Sequence, residues 1–249
     1  GYGMYRGFRR LRRRRTARRL HASQRRHVGV RVGTSRTKEV LTQNVHENPH
    51  TSYTLHQHEV TVIGALDKAN NHKRQRNDIN LRGFRMNLRV RHEASAPGVL
   101  IMMLVSLKHG ANLSAVDNDF FKSRNGDEIS FPSGGGAFPG SDYVDLGINK
   151  EVMNVLWYKK LELAPRGVSS PGAQDYTMLS GKNYVQINQY VKMNRQINFN
   201  LDTDQSPEAP HSVYFIHWYA NPFESANIPV SARYVLTRKI SAIWRELTH

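Results

Sequence analysis

The chain has 249 residues and no cysteine, carries 36 Lys and Arg against 20 Asp and Glu, and is 39% hydrophobic. The missing thiols exclude disulfides, thiolate catalysis and Cys-based zinc sites, while the apolar content suffices for the core of one large domain or two small ones. The formal charge of +16 is confined almost wholly to one end.

Residues 1–38 contain 13 Arg, one Lys and no acidic side chain, a net charge of +14, which leaves only +2 for the rest. Such a segment repels itself and buries too little apolar surface to offset chain entropy, so it is expected to be disordered when free and to seek a polyanion. Arginine suits phosphate because its planar guanidinium bonds two oxygens at once. Three readings stand side by side: a solvated basic tail, a nuclear import signal at Arg12, Arg13, Arg14 and Arg15, and a packaging arm that uses the whole length. Tyr2, Tyr5 and Phe8 interleave with the arginines and offer rings for unpaired bases. No signal-peptide apolar region follows the basic start. The first residue is Gly1 rather than Met, and a few preceding residues are expected.

Residues 39–53 are polar, include Asn48 and Pro49, and read as a linker. Strand patterns begin at about residue 54. The first, 54–66, carries His56 and His58, which a period of two places on one side and within reach of a shared metal. Surface histidines on an edge strand are the plainer reading. In 81–92 (LRGFRMNLRVRH), Phe84, Met86, Leu88 and Val90 alternate with Arg85, Asn87, Arg89 and Arg91. The apolar set faces a core, and the arginines form either a solvent face or an inner basic surface. Segment 99–107 is apolar at both parities and reads as a strand buried on both faces. Its run from Val99 to Val105 is far shorter than the roughly 20 residues of a membrane helix.

Ser114 is placed to cap a short helix over 114–123. Asp117, Asp119, Asp127 and Glu128 cluster nearby, either as a solvated loop, as an acidic patch for a neighbour's arginines, or as a Mg²⁺ or Ca²⁺ site. Segment 131–140 (FPSGGGAFPG) is a surface loop. Strands are expected at 152–163, 184–199, 212–220 and 230–243. In 184–199, Val185, Ile187, Val191, Met193, Ile197 and Phe199 share one parity. Asp202 and Asp204 read as a turn. Trp157, Trp218 and Trp244 read as core residues. Seven or eight strands with almost no helix, joined by long Gly/Pro-rich connections, predict an all-β sandwich or jelly roll.

No motif assembles a catalytic centre. A rolling-circle nuclease pairs an H-x-H element with a Tyr that has a Lys three residues later, and no Tyr here meets that spacing. There is no phosphate-binding loop of the G-x-x-x-x-G-K-[ST] type and no G-x-S-x-G elbow.

The order of segments carries a resemblance. RGFRMNLRVRH, VLIMMLVSL, NVLWYKKLEL, YVKMNRQINFN, SVYFIHWYANP and RYVLTRKISAIW, spread over residues 75–246 behind an arginine arm, resemble the coat proteins of geminiviruses and genomoviruses. The lack of cysteine departs from plant geminivirus coat proteins, which commonly carry a Cys-containing zinc motif, and favours a genomovirus-like relative. The resemblance implies a basic arm and linker at 1–53 and a single eight-stranded antiparallel jelly-roll capsid domain at 54–249. It implies an icosahedral homo-oligomeric shell around circular single-stranded DNA, in the virion and the host nucleus. An import receptor is a further implied partner. No enzyme activity, cofactor, metal or membrane is implied.

The residues expected to meet DNA are Arg9, Arg10, Arg12, Arg13, Arg14, Arg15, Arg18 and Arg19, then Arg25, Arg26 and Arg31. Arg85, Arg89, Arg91, Lys192 and Arg195 are candidates for the inner wall. The competing expectation is a non-assembling nucleic-acid-binding protein, of nuclear shuttle or ribosomal type, with the same tail.

Overall fold

The chain folds as a long antiparallel hairpin of eight strands rolled onto itself. The computed structural model describes residues 36–46, 55–108, 121–122, 128–129, 147–169, 176–178, 180–220 and 234–247. Arg36–Leu247 makes up one compact unit. Its strands, in chain order, are β1 (Lys38–His46), β2 (His56–Glu59), β3 (Asp78–His92), β4 (Gly98–Leu107), β5 (Phe121–Lys122), β6 (Glu128–Ile129), β7 (Gly147–Ile148), β8 (Met153–Leu163), β9 (Gly167–Ser169), β10 (Tyr176–Met178), β11 (Tyr184–Asn198), β12 (Val213–Ala220) and β13 (Tyr234–Glu246). Among the described residues the one helical element is a 3₁₀ turn at Ala209–His211.

Two four-stranded sheets carry the architecture, in the orders β1-β13-β3-β11 and β2-β12-β4-β8. The nesting is diagnostic. Of the eight strands in these sheets, the first pairs with the last, the second with the seventh, the third with the sixth and the fourth with the fifth, all antiparallel. The cross-pairs β13 with β3 and β12 with β4 then close each sheet. That is the jelly roll, two Greek keys wound into one sandwich. The sheets β10-β9 and β6-β5-β7 are small additions.

The alternation in β3 works as the sequence implies. Phe84, Met86, Leu88 and Val90 are buried, while Arg85, Arg89 and Arg91 are exposed. At Arg82 and Gly83 the register against β13 slips, and Ile79 and Leu81 continue inward on the other parity. All ten residues of β4 are buried, as expected for a strand covered on both faces. Trp218 and Trp244 are buried and Trp157 partly so.

Three expectations are corrected. Residues 39–46 are not linker: Lys38–His46 pairs with β13 along its length, so the sandwich begins at Lys38 rather than at residue 54. The segment looked polar because it is an edge strand with one side in water, and a register slip between Leu41 and Gln43 breaks its alternation. The strand expected over 54–66 is only His56–Glu59. Val60, Thr61 and Ile63 are buried from irregular chain that passes through Gly64, whose φ of 103° suits glycine alone. Of the helix expected over 114–123, residues 121–122 form β5 instead.

A buried arginine that no periodicity flagged fixes the long β2–β3 connection. Arg74 is fully buried. Its guanidinium donates to the carbonyls of Gly64 (3.1 Å), Arg76 (3.1 Å), Asp202 (3.4 Å) and Asp204 (2.8 Å), and to Asn77 Oδ1 (2.7 Å). Its cation lies 3.8 Å from the centre of the Phe199 ring. Burial lowers its pKa, and Glu246, Asp202 and Asp204 oppose that shift. The turn expected at Asp202 and Asp204 is present, with Leu201 N–H donating to Asp204 Oδ2 (2.8 Å).

Candidate nucleic-acid interface

The outward face of the β1-β13-β3-β11 sheet collects the described basic residues singled out from sequence, with one exception. Strand pleating sends alternate residues of β3 and β11 outward, and the register sets them side by side. Arg91 stands opposite Tyr184, Arg89 opposite Gln186, Asn87 opposite Asn188, Arg85 opposite Tyr190, and Gly83 opposite Lys192. On the other flank of β3, Lys239 of β13 stands opposite Asn87. Arg85, Arg89, Arg91 and Lys192 therefore share one sheet face with Lys239, which was missed in the sequence. Its cue was there, since Lys239 alternates with buried Leu236, Ile240 and Ala242 on the polar side of β13 or next to it. Buried Arg238 interrupts that pattern.

Two carboxylates temper the face. Arg85 Nη1 lies 3.5 Å from Glu39 Oε2, with both side chains well exposed (65% and 41%). Arg91 Nε lies 2.7 Å from Glu93 Oε1, whose side chain is only 25% exposed. The first pair is a loose surface contact of little energy; the second is shorter and better shielded.

Arg195 is the exception and a correction. It shares the parity of Val191 and Ile197, both buried, and so turns inward, where Nη1 donates to Ser106 Oγ of β4 at 3.3 Å. The chain makes this turn at a bulge between Lys192 and Arg195, in which Asn194 takes a φ of 51°, a conformation asparagine tolerates. Arg238 is likewise turned inward. It is 4% exposed, its Nε donates to Gln43 Oε1 (3.2 Å), and burial lowers its pKa to about 10.

The H-x-H pair does share one side, and the fold brings a third histidine to it. His56 and His58 both stack on the ring of His217 of β12, with centroids 4.7 and 5.3 Å apart. His58 Nε2 and His217 Nε2 are 3.2 Å apart, so one proton lies between them, and His217 Nδ1 meets Tyr234 OH at 2.8 Å. Among the described residues no three His, Asp or Glu side chains are arranged to hold a metal ion. A parallel link joins the sheets nearby. His92 of β3 donates from Nδ1 to Ala164 O (2.6 Å), because a carbonyl can only accept, and its Nε2 therefore accepts from Tyr219 OH (2.9 Å). Burial lowers the His92 pKa, with the Ala164 bond opposing, and burial pushes Tyr234 well up. These groups tie one sheet to the other.

The two outer faces of the sandwich differ. On the β2-β12-β4-β8 sheet, Val99, Ile101, Met103, Val105, Ile216 and Trp218 point away from the other sheet and are all at most 5% exposed. One broad face is thus polar, cationic and open, whereas the other is apolar and buried along its two middle strands and carries exposed Tyr158, Lys160 and Glu162 on β8.

Arg9, Arg10, Arg12, Arg13, Arg14, Arg15, Arg18, Arg19, Arg25, Arg26 and Arg31 lie outside the described residues, as do Asp117, Asp119, Asp127 and segment 131–140. Glu128 begins β6.

No protein-family model matches the chain, and no curated protein sequence matches it. Solved structures do. A Desmodium yellow mottle tymovirus structure has a TM-score of 0.31 and 8% identity, over 86% of this chain and 88% of that one. The human polyomavirus 6 VP1 pentamer gives 0.24 and 10%, over 89% and 98%. A T13 IBDV viral particle gives 0.20 and 8%, over 86% and 40%. Superpositions this loose carry no argument, and the jelly-roll assignment rests on the strand order and register above.

Proposed function

We propose that this chain is the coat protein of a small circular single-stranded DNA virus of the geminivirus and genomovirus kind. In this reading the jelly-roll domain self-assembles into an icosahedral shell, and the basic segment before it holds the genome without reading its sequence. The carrying observation is the segregation of charge. Residues 1–37, with 13 Arg and no acidic side chain, lead directly into β1, the edge strand of the very sheet whose outer face gathers Arg85, Arg89, Arg91, Lys192 and Lys239. Jelly rolls also serve as lectins and enzymes, so the fold by itself does not choose among functions. A dense polycation joined to a cationic sheet face favours a polyanion as the partner. The open sheet edges favour burial against further copies.

The role is structural. Arg9 to Arg31 and the sheet arginines neutralise phosphate, and closure of the shell lets many weak contacts act together. The run Arg12, Arg13, Arg14 and Arg15 doubles as a nuclear import signal, which places assembly in the host nucleus.

Sedimentation velocity of nuclease-treated protein, recorded in the nucleic-acid and protein absorbance bands, tests this. One fast species with protected nucleic acid is the expected result. A slow species of one or two chains, stripped of nucleic acid, would overturn the shell and leave a non-assembling nucleic-acid-binding protein.

A further inference from the structure

The cationic sheet face also carries rings. Tyr184 and Tyr190 of the edge strand β11 are 39% and 46% exposed. Both sit on the outward parity, with Gln186 and Asn188 between them and Lys192 beyond, all exposed. Six residues of strand separate the two rings by about 20 Å. One strand inward lie Arg91, Arg89 and Arg85 in matching register. The face thus has two parallel lanes about 4.8 Å apart: rings and amides on the edge strand, guanidinium groups on its neighbour.

Tyr190 is held as a platform. A side-chain carbon on Gly83 would meet Tyr190 OH at 2.8 Å and Cζ at 2.9 Å, so this ring lies over the bare glycine, which is buried beneath it. The glycine supports the ring from below and leaves it in part open to solvent.

We propose that this face binds single-stranded nucleic acid in extended form, with bases stacked on Tyr184 and Tyr190 and phosphates on Arg85 and Arg89. The proposal rests on the reading of the chain as a packager of single-stranded DNA and adds the side chains that hold the unpaired bases. Phosphate contacts alone do not distinguish a duplex from a single strand, whereas a ring needs an unpaired base. Every base has a flat π-face, so the arrangement tolerates any sequence, and the amides of Gln186 and Asn188 are placed to bond base edges between the rings. An acidic protein segment would satisfy the arginines and make no use of the rings.

The test uses the full chain and oligothymidylate substituted with 5-iodouracil, which cross-links on irradiation to a stacked aromatic side chain. Peptide mapping is expected to find Tyr184 and Tyr190 among the cross-linked residues. Binding is then measured at about 1 M salt, where the Debye length falls to about 3 Å and the arm is largely screened. Tyr184→Leu and Tyr190→Leu are each expected to weaken single-strand binding there by about 5-fold or more, and to leave duplex binding unchanged. Cross-links confined to Tyr2, Tyr5 and Phe8 would overturn the stacking face and leave the packaging arm intact. Equal losses for duplex and single strand would also overturn it, as would displacement of the face's ligand by an acidic peptide but not by oligothymidylate. Absence of any DNA binding by the full chain would remove this proposal and the packaging reading together.

Discussion

Replacing Arg85, Arg89 and Arg91 together by Gln isolates the sheet's share of DNA binding from the arm's. For single strands the logarithm of the affinity falls with the logarithm of salt by about 0.7 for each phosphate neutralised. The 13 arginines of residues 1–37 set a ceiling of about −9 for the arm's contribution to this slope, since Lys38 lies in β1 against Glu246. The three sheet arginines add about −2 if all reach phosphate. The structure argues for less. Arg85 gives up its exposed 3.5 Å contact with Glu39 at little cost, whereas Arg91 is held at 2.7 Å by a Glu93 that is three-quarters covered. Arg89 has only Gln186 and Thr237 directly across from it. Two phosphates, from Arg85 and Arg89, are therefore expected, and the triple variant's slope should be shallower by about 1.4. Fluorescence anisotropy of labelled oligothymidylate over a salt series measures it on the full chain. An unchanged slope would refute the reasoning, because it would mean that no phosphate reaches this face.

Three further predictions concern the frame that holds the face. A side-chain carbon at Gly98 would collide with the Tyr219 hydroxyl that holds His92, so Gly98→Ala should destabilise by about 1–3 kcal/mol in equilibrium denaturation, and by less in a Tyr219→Phe background; equal losses in both backgrounds would show that the clash is elsewhere. Arg74→Met strips a charged donor from four backbone carbonyls, and should cost at least about 3 kcal/mol by the same measurement, since each buried acceptor left unpaired costs roughly 1–3 kcal/mol. Because burial lowers the His92 pKa, the unfolded chain takes up this proton first as the pH falls through about 6.5. The stabilisation is thus complete above that value and is lost on acidification towards the lower folded pKa, with a slope of at most about 1.4 kcal/mol per pH unit from this group. His92→Gln should flatten the stability–pH curve there relative to the parent, and parallel curves would contradict the assignment.

What could be read in advance was whatever repeats at a period of two. Phe84 to Val90 and the uninterrupted apolar run of β4 announce their strands, and seven of the eight sandwich strands were placed in outline. What escaped has local causes. Lys38–His46 is an edge strand with a register slip, so neither its composition nor its alternation marks it. Arg195 and Arg238 lie on apolar parities, and charge alone drew attention to the first as a surface group when its position already put it inside. Arg74 sits in irregular chain, where its partners come from Gly64 and from a turn more than a hundred residues later, and no pattern in one segment reveals such a meeting. Tyr184 and Tyr190 were countable as polar-side residues of β11, but their meaning depends on the arginines that the β3 register sets beside them.

That dependence bears on how the molecule divides its labour. A +14 arm needs no sheet to hold DNA, and residues 39–249 with a net charge of +2 would be a poor polyanion binder if its charges were evenly spread. They are not. The outer face of one sheet keeps Arg85, Arg89, Arg91, Lys192 and Lys239 against Glu39 and the Arg91-bound Glu93, while the outer face of the other is buried at Val99, Ile101, Met103, Ile216 and Trp218 and sets Lys160 beside Glu162 on β8. On the packaging reading, concentrating the sheet's cations on the face beside the arm adds phosphate contacts to those the arm makes. Two kinds of damage separate on that reading: substitutions among Arg85, Arg89, Tyr184 and Tyr190 should empty shells without dissolving them, whereas Ile101→Asp or Trp218→Asp, which place charge in the subunit's own core, should prevent folding and with it any particle. Sedimentation of both sets side by side would reveal the division, and full, DNA-bearing particles from the first set would show that the arm alone is sufficient.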